Sequence, residues 1–117
     1  MTGKDAEKHA ETFLKNKKLT LISRNFSCRF GEIDLIMLEK KTLVFVEVRL
    51  RRNKTYGGAA NSVTTGKQTK IIKTAQLFLS QHTRYQNYIC RFDVIAYEYD
   101  SAPDSPMWYK DAFIVQG

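Results

Sequence analysis

In Gly31-Glu32-Ile33-Asp34-Leu35-Ile36 two carboxylates stand two positions apart in a run that otherwise reads as β-strand. A period of two puts both on one face. The run Leu43-Val44-Phe45-Val46-Glu47-Val48-Arg49-Leu50 follows the same parity, with Val44, Val46 and Val48 on one face and Glu47 with Arg49 on the other, in a sequence apolar enough for a central strand. A carboxylate left unpaired there is strongly destabilising. If the two runs pair through the turn at Glu39-Lys40-Lys41 with matching faces, Asp34, Glu47 and Arg49 cluster, with Glu32 nearby. Two chemistries follow. Glu47 and Arg49 can form an ion pair with each other or with Asp34 and simply support the sheet. Alternatively, two carboxylates pressed together raise each other's pKa, and a divalent cation relieves the repulsion. A cation held by Asp34 and Glu47 would be hard and oxygen-ligated, Mg²⁺ or Mn²⁺.

The elements that must position these groups are legible around them. From Thr2 to about Lys17, Ala6, Ala10, Phe13 and Leu14 recur at the spacing of one helix face. At about 100° per residue, Glu7 falls beside Leu14 at the margin of the apolar arc, while Glu11 lies further round. Glu7 can therefore reach over the sheet, or serve as a solvated first-turn glutamate. Leu19 to Phe30 is rich in β-formers, and with Glu32 to Leu38 and Thr42 to Leu50 it makes three strands on short links, an antiparallel meander. Arg51 to Gly66 is polar, basic and glycine-bearing, the longest candidate loop. Thr65 with Gln68 fits a capping box, and Ile71, Ile72, Ala75, Phe78 and Leu79 mark a second helix ending near His82. Arg91 to Tyr99 reads as a fourth strand, Asp100 to Pro106 as a surface turn, and Trp108 to Val115 as an edge strand or short terminal helix. A strand that follows a helix can join the sheet in parallel, so the fold class is α/β, a mixed β-sheet flanked by helices.

Composition narrows the partners. The chain has 117 residues, enough for one core, and 19 Lys+Arg against 12 Asp+Glu leave a formal charge of +7. A polyanion such as nucleic acid or an acidic membrane surface is a plausible partner, and charge alone does not choose between them. Arg49, Arg51, Arg52 and Lys54 run from the site strand into the loop, joined by Lys67, Lys70 and Lys73. They could grip a phosphate backbone beside the carboxylates, or form a solvated basic face. Lys67 lies on the Ile71 and Phe78 side of its helix and can point at the site or snorkel, and Tyr56 could stack on an unpaired base or pack on the sheet edge. No apolar stretch approaches the roughly 20 residues that span a bilayer, and no signal-peptide segment opens the chain, so a soluble cytoplasmic protein without membrane contact is expected. Cys28 and Cys90 suggest neither a zinc cluster nor a disulfide scaffold and are expected as buried thiols in adjacent strands. Asp93 reads as an internal ion pair with Arg91, Trp108 as a core or edge-packing residue, and His9 and His82 as surface groups without a role.

The set Gly31-Glu32-Ile33-Asp34-Leu35-Ile36, Val44-Phe45-Val46-Glu47-Val48-Arg49, Gly57-x-Ala59-x2-Ser62-Val63-Thr64-x2-Lys67 and Cys90-Arg91-Phe92-Asp93-Val94 resembles the YraN-like bacterial proteins. That family is similar to archaeal Holliday junction resolvases among the restriction-endonuclease-like PD-(D/E)xK nucleases. The resemblance runs from Gly3 to Phe113 and implies a single nuclease-like domain over 1–117 with the restriction-endonuclease-like fold. It implies that Asp34 and Glu47 are the metal-binding acids, that Glu7 is the first-helix glutamate, and that Arg49 stands where the motif has lysine. It also implies DNA, branched or single-stranded, as substrate, and allows a twofold homodimer. Arg49 can steady charge on a phosphate through its planar fork but is a poor proton acceptor. The expectation is therefore a Mg²⁺- or Mn²⁺-dependent endonuclease-like protein with Glu7, Asp34, Glu47 and Arg49 as catalytic residues and Glu32 behind the metal. The alternatives are a nucleic-acid-binding module that keeps the fold without catalysis, and a partner-docking protein whose acids and bases only pair internally.

Overall fold

The computed structural model describes residues 1–50, 63–98 and 105–114. Thr2 opens the first helix, α1 (Gly3–Asn16), with a capping box in which its hydroxyl accepts from the Asp5 N–H and its own N–H donates to the Asp5 carboxylate. Three nine-residue strands follow, β1 (Thr20–Cys28), β2 (Gly31–Glu39) and β3 (Thr42–Leu50). Each link is two residues long. Gly31, at φ +153°, takes the backbone out of the Arg29-Phe30 turn in a conformation that side chains rarely adopt, and Lys40, at φ +55°, turns the second hairpin. The meander expected from sequence is therefore present. Next come α2 (Thr65–Gln81), a single 3-10 turn at Thr83–Tyr85, β4 (Ile89–Tyr97) and β5 (Met107–Phe113).

The strands lie in the order β1-β2-β3-β4-β5. Pairing is antiparallel except between β3 and β4, which run parallel in register from Thr42 opposite Ile89 to Leu50 opposite Tyr97. The helix between those two strands makes the crossover that a parallel pair requires. Of the two outcomes open for the C-terminal element, the edge strand is realised.

The mixed sheet separates two apolar layers. Beneath α1, Ala6, Ala10 and Leu14 pack on Leu35, Met37, Val44, Val46 and Ile95; on the other face Ile71, Ala75 and Phe78 of α2 pack on Ile36, Phe45, Phe92 and Val94. Two aromatic edges meet Phe78, from Phe26 and Phe45. A bonded acid sits at the β4 end of this core. Asp93 is fully buried and accepts from Arg91 Nε and Nη2, Trp108 Nε1 and the Asp111 N–H. The last of these bonds falls where the β4–β5 register shifts and Asp111 takes φ +54°, so the carboxylate occupies a place the ladder leaves open. The Arg91–Asp93 ion pair and the packing role of Trp108, which also meets Phe13 edge-on, are as expected.

Two expectations need correction. Thr64, not Thr65, caps α2: its hydroxyl accepts from the Lys67 N–H at 3.2 Å, and Gln68 Nε2 donates to the Val63 carbonyl at 3.0 Å rather than closing a box. With tandem threonines either can cap, and the Gln68 bond to Val63 favours the earlier one. The cysteines are not buried neighbours. Cys28 is half-buried on β1, Cys90 is exposed on β4, and β2 and β3 lie between them.

Candidate metal and phosphate site

The β2–β3 ladder runs from Glu39 opposite Thr42 to Leu35 opposite Val46 and stops there. Just beyond it, the Val48 N–H is taken by the Asp34 carboxylate, Oδ2 at 2.8 Å. A side chain thus replaces a backbone acceptor where the two strands part. The alternation of β2 slips at the same point: Ile33 joins the layer under α2, whereas Leu35, two residues on, joins the layer under α1. The neighbouring strand changes in step. Arg24 lies opposite Leu35 and Phe26 opposite Ile33, which sets Asn25 against Asp34. Asn25 has φ +49°, a left-handed residue inside a β-strand. The β1–β2 ribbon therefore rotates at the Asn25/Asp34 pair, turning Arg24 toward α1 and Phe26 toward α2.

Into this fork β3 sends Glu47, whose side chain is 8% exposed. Its carboxylate lies within hydrogen-bonding reach of Asp34. Burial, followed by the repulsion of Glu47, pushes the Asp34 carboxyl up to about 8; the Val48 N–H opposes the shift, and the shared hydrogen bond with Glu47 and the Glu7 charge add to it. Arg49 Nη1 stands 3.9 Å and Lys67 Nζ 3.6 Å from Glu47 Oε1. Both cations are thus near enough for charge compensation but longer than a close hydrogen bond. Lys67 owes its position to the Thr64 cap, which places it in the first turn of α2 above the strand.

Glu7 and Glu32 form the outer rim. Asn25 Nδ2 donates to Glu7 Oε1 and to Glu32 Oε1, each at 2.9 Å, so one amide ties an α1 acid to a β2 acid. Beside this rim a cleft of about 450 Å³ lies between α1 and the β1–β2 ribbon, lined by Lys4, Lys8, Thr12, Arg24 and Leu35 among others.

The sequence-predicted acids Glu7, Glu32, Asp34 and Glu47 thus gather around one fork, with Arg49 and Lys67 on its basic side. Lys70, in the next turn of α2, is exposed and makes no contact with the acids among the described interactions. Arg51, Arg52, Lys54 and Tyr56 lie outside the described residues. Glu11 corrects the helical projection: it is more buried than Glu7, held by a two-pronged bond from Arg24 and by Lys15 at 2.7 Å, and its carboxyl is lowered to about 2, chiefly by Arg24. The projection treated α1 alone, and β1 supplies the cover. His9 also has a partner, the Tyr97 hydroxyl at 2.6 Å. Asn25 is the residue that the sequence reading passed over. A short polar residue with tolerance for left-handed backbone, in the middle of a β-former run, is the signal that could have found it.

The donor set suits a hard cation. Two adjacent carboxyls, the Asp34 group with a raised proton affinity, offer oxygens where a cation can replace the proton. Mg²⁺ needs only one or two carboxylates because it keeps several waters. Among the described residues no group of three or more His, Cys, Asp or Glu is gathered closely enough to hold a metal ion unaided. The pair Asp34/Glu47 would therefore do the direct holding, with Glu7 and Glu32 further out. Among the same residues no helix is long and apolar enough to cross a membrane.

Comparison with known proteins gives a family. The model of an uncharacterised protein family, UPF0102, matches residues 6–97. The chain is similar to a UPF0102 protein of Alcanivorax borkumensis, 48% identical over 117 residues that cover 96% of this chain and 90% of the relative. A UPF0102 protein of Stutzerimonas stutzeri is 47% identical over 112 residues, covering 96% and 93%, and one of Nitrosococcus oceani is 44% identical over 114 residues, covering 97% and 92%. The matched span runs from within α1 to the end of β4 and carries all the acids of the fork, and on this footing the chain belongs to the uncharacterised protein family UPF0102.

Proposed function

We propose that this protein is a Mg²⁺- or Mn²⁺-dependent endonuclease-like enzyme that hydrolyses phosphodiester bonds in DNA, branched or single-stranded. The observation that carries the reading is the Asp34/Glu47 carboxyl pair at the fork of β2 and β3, Glu47 buried and Asp34 half-buried, with Arg49 and Lys67 beside it. An acid pair drawn out of water in this way is costly to a sheet that gains nothing from it, which makes it a candidate for function. The resemblance of these segments to resolvase-type PD-(D/E)xK nucleases supports the same assignment.

In this reading Asp34 and Glu47 hold the cation, and Glu7 and Glu32 accept hydrogen bonds from its surroundings. When bound, the cation would acidify a water and offset charge developing on the phosphate. The Val48 N–H fixes one oxygen of Asp34, so its other oxygen is aimed without rotamer search. Arg49 presents a planar fork to a phosphate oxygen, and Lys67 adds a point charge from α2. Both cations already lie within 4 Å of Glu47 before substrate arrives. The test is single-turnover cleavage of a branched DNA in Mn²⁺. Glu47→Ala is expected to lose at least about a hundredfold in rate, since it removes a ligand rather than a supporting contact; cleavage as fast as wild type overturns the assignment.

One observation favours a second reading. Arg49 and Lys67 both compensate Glu47 within 4 Å, as in an internal ion-pair cluster. A binding module that retains the fold without catalysis would show DNA affinity that falls steeply with salt and is indifferent to Mg²⁺ and EDTA.

A further inference from the structure

Asn25 sits opposite Asp34 at the rotation of the β1–β2 ribbon, in a conformation that costs an L-residue roughly 1 kcal/mol or more and that Asn tolerates better than most. Strand interiors do not need such a residue. Its side chain is occupied in a specific way: the amide group lies between two carboxylates, Glu7 Oε1 and Glu32 Oε1, at 2.9 Å each. Carboxylates accept and do not donate when ionised, so both bonds must come from the two hydrogens of Nδ2. Among neutral side chains only Asn and Gln offer two donors on one atom, and of the two Asn is the one that tolerates a left-handed backbone. A lysine or arginine would hold the acids but neutralise them; Asn25 holds them and leaves their charge in place.

We propose that Asn25 is a positioning residue for cation binding, holding Glu7 and Glu32 as charged acceptors at the rim of the Asp34/Glu47 fork. The inference rests on the reading of that fork as a cation site. Without the amide, Glu7 and Glu32 would repel each other and swing toward solvent, one from α1 and one from β2. The left-handed backbone is what directs the amide to both: in an extended residue, strand alternation alone would set its direction. Backbone strain and acid placement are thus two consequences of one residue.

The variant that separates these is Asn25→Gly. Glycine accepts φ +49° without steric cost, so the ribbon keeps its rotation while the amide is lost. The probe is Mn²⁺ alone, titrated calorimetrically into the full chain, with the melting temperature recorded for each variant. Mn²⁺ is expected to bind about 10–100-fold more weakly to Asn25→Gly, the effect typical of groups that orient a metal's ligands. In a Glu7→Gln/Glu32→Gln background, Asn25→Gly should cost almost nothing further, because the residue acts through those acids. Wild-type affinity in Asn25→Gly overturns the proposal, as does an equal loss in both backgrounds. Failure of the wild-type chain to bind Mn²⁺ at all overturns the cation site itself, and Asn25's role with it, so the two failures read differently.

Discussion

Replacing Asp34 with Asn should stabilise this protein near neutral pH, and progressively less as pH falls toward 4. The carboxyl rises from 3.8 in the unfolded chain to about 8 in the fold, mainly through burial and then through Glu47. A raised acid favours folding most when protonated: its contribution is intact below the unfolded value of 3.8 and is lost as pH climbs toward 8. In between, the native state holds a proton that the unfolded chain has released, so each pH unit costs about 1.4 kcal/mol. From pH 5 to pH 7 the wild type should therefore lose about 3 kcal/mol relative to Asp34→Asn. For a domain of this size that is a melting-temperature gap widening by roughly 10 °C. The substitution preserves the rest of the fork. The Asn oxygen can still accept from the Val48 N–H, and its amide can donate to Glu47 in place of the shared proton. Thermal melts of both proteins in parallel buffers, without divalent cations, read the gap directly, and the subtraction removes every other titrating group. Millimolar Mg²⁺ should then raise the wild type alone, by the usual linkage of binding to stability. A gap of constant size across that pH range would refute the reasoning, because it would mean that Asp34 is ionised throughout.

Two further outcomes test parts of the structure away from the fork. Asp93→Ala removes the acceptor of four donors in the β4–β5 region, leaves the Trp108 and Asp111 N–H groups without it and Arg91 with Glu39 alone, so it should cost about 3 kcal/mol, seen as a lower denaturation midpoint in urea with an unchanged slope. Glu11→Ala should cost about 1 kcal/mol at neutral pH by freeing Arg24 and Lys15. The folded carboxyl is depressed, so its contribution is present above the unfolded value of 4.5 and fades as pH falls toward 2; wild type and variant should converge there in acid melts.

The parts of this architecture that repeat along the chain were open to sequence reasoning. Alternation in Thr42–Leu50 gives Val44 and Val46 to one layer and Phe45 and Glu47 to the other, and α1's apolar spacing gives Ala6, Ala10 and Leu14 their burial. Such patterns are legible because one face of each element must be covered. The Asp34/Glu47 pair follows from the same parity, joined to a hairpin whose turn is marked by Lys40-Lys41.

What escaped was set by neighbours rather than by period. Glu11 looked solvated on a helical wheel and is buried because Arg24 of β1 lies over it. Cys90 sits in a β-former run yet is exposed at the start of β4. Thr64 and Thr65 are equivalent caps until Gln68 bonds to the Val63 carbonyl. The rotation at Asn25/Asp34 breaks the alternation on which the strand reading depends, so Ile33 and Leu35 face opposite layers despite their spacing. Departures of this kind from local pattern are where function is commonly housed, and here the departure coincides with the carboxylate fork.

The most direct test of that fork is calorimetric titration of Mn²⁺ into the wild-type protein and into the Asp34→Asn/Glu47→Gln double variant, followed by addition of a branched DNA to each. The account predicts heat of cation binding in the wild type only, and cleavage of the DNA in that sample alone. Equal heats in both proteins, or none in either with DNA present, would contradict it and leave Asp34, Glu47, Arg49 and Lys67 as an internal ion-pair cluster.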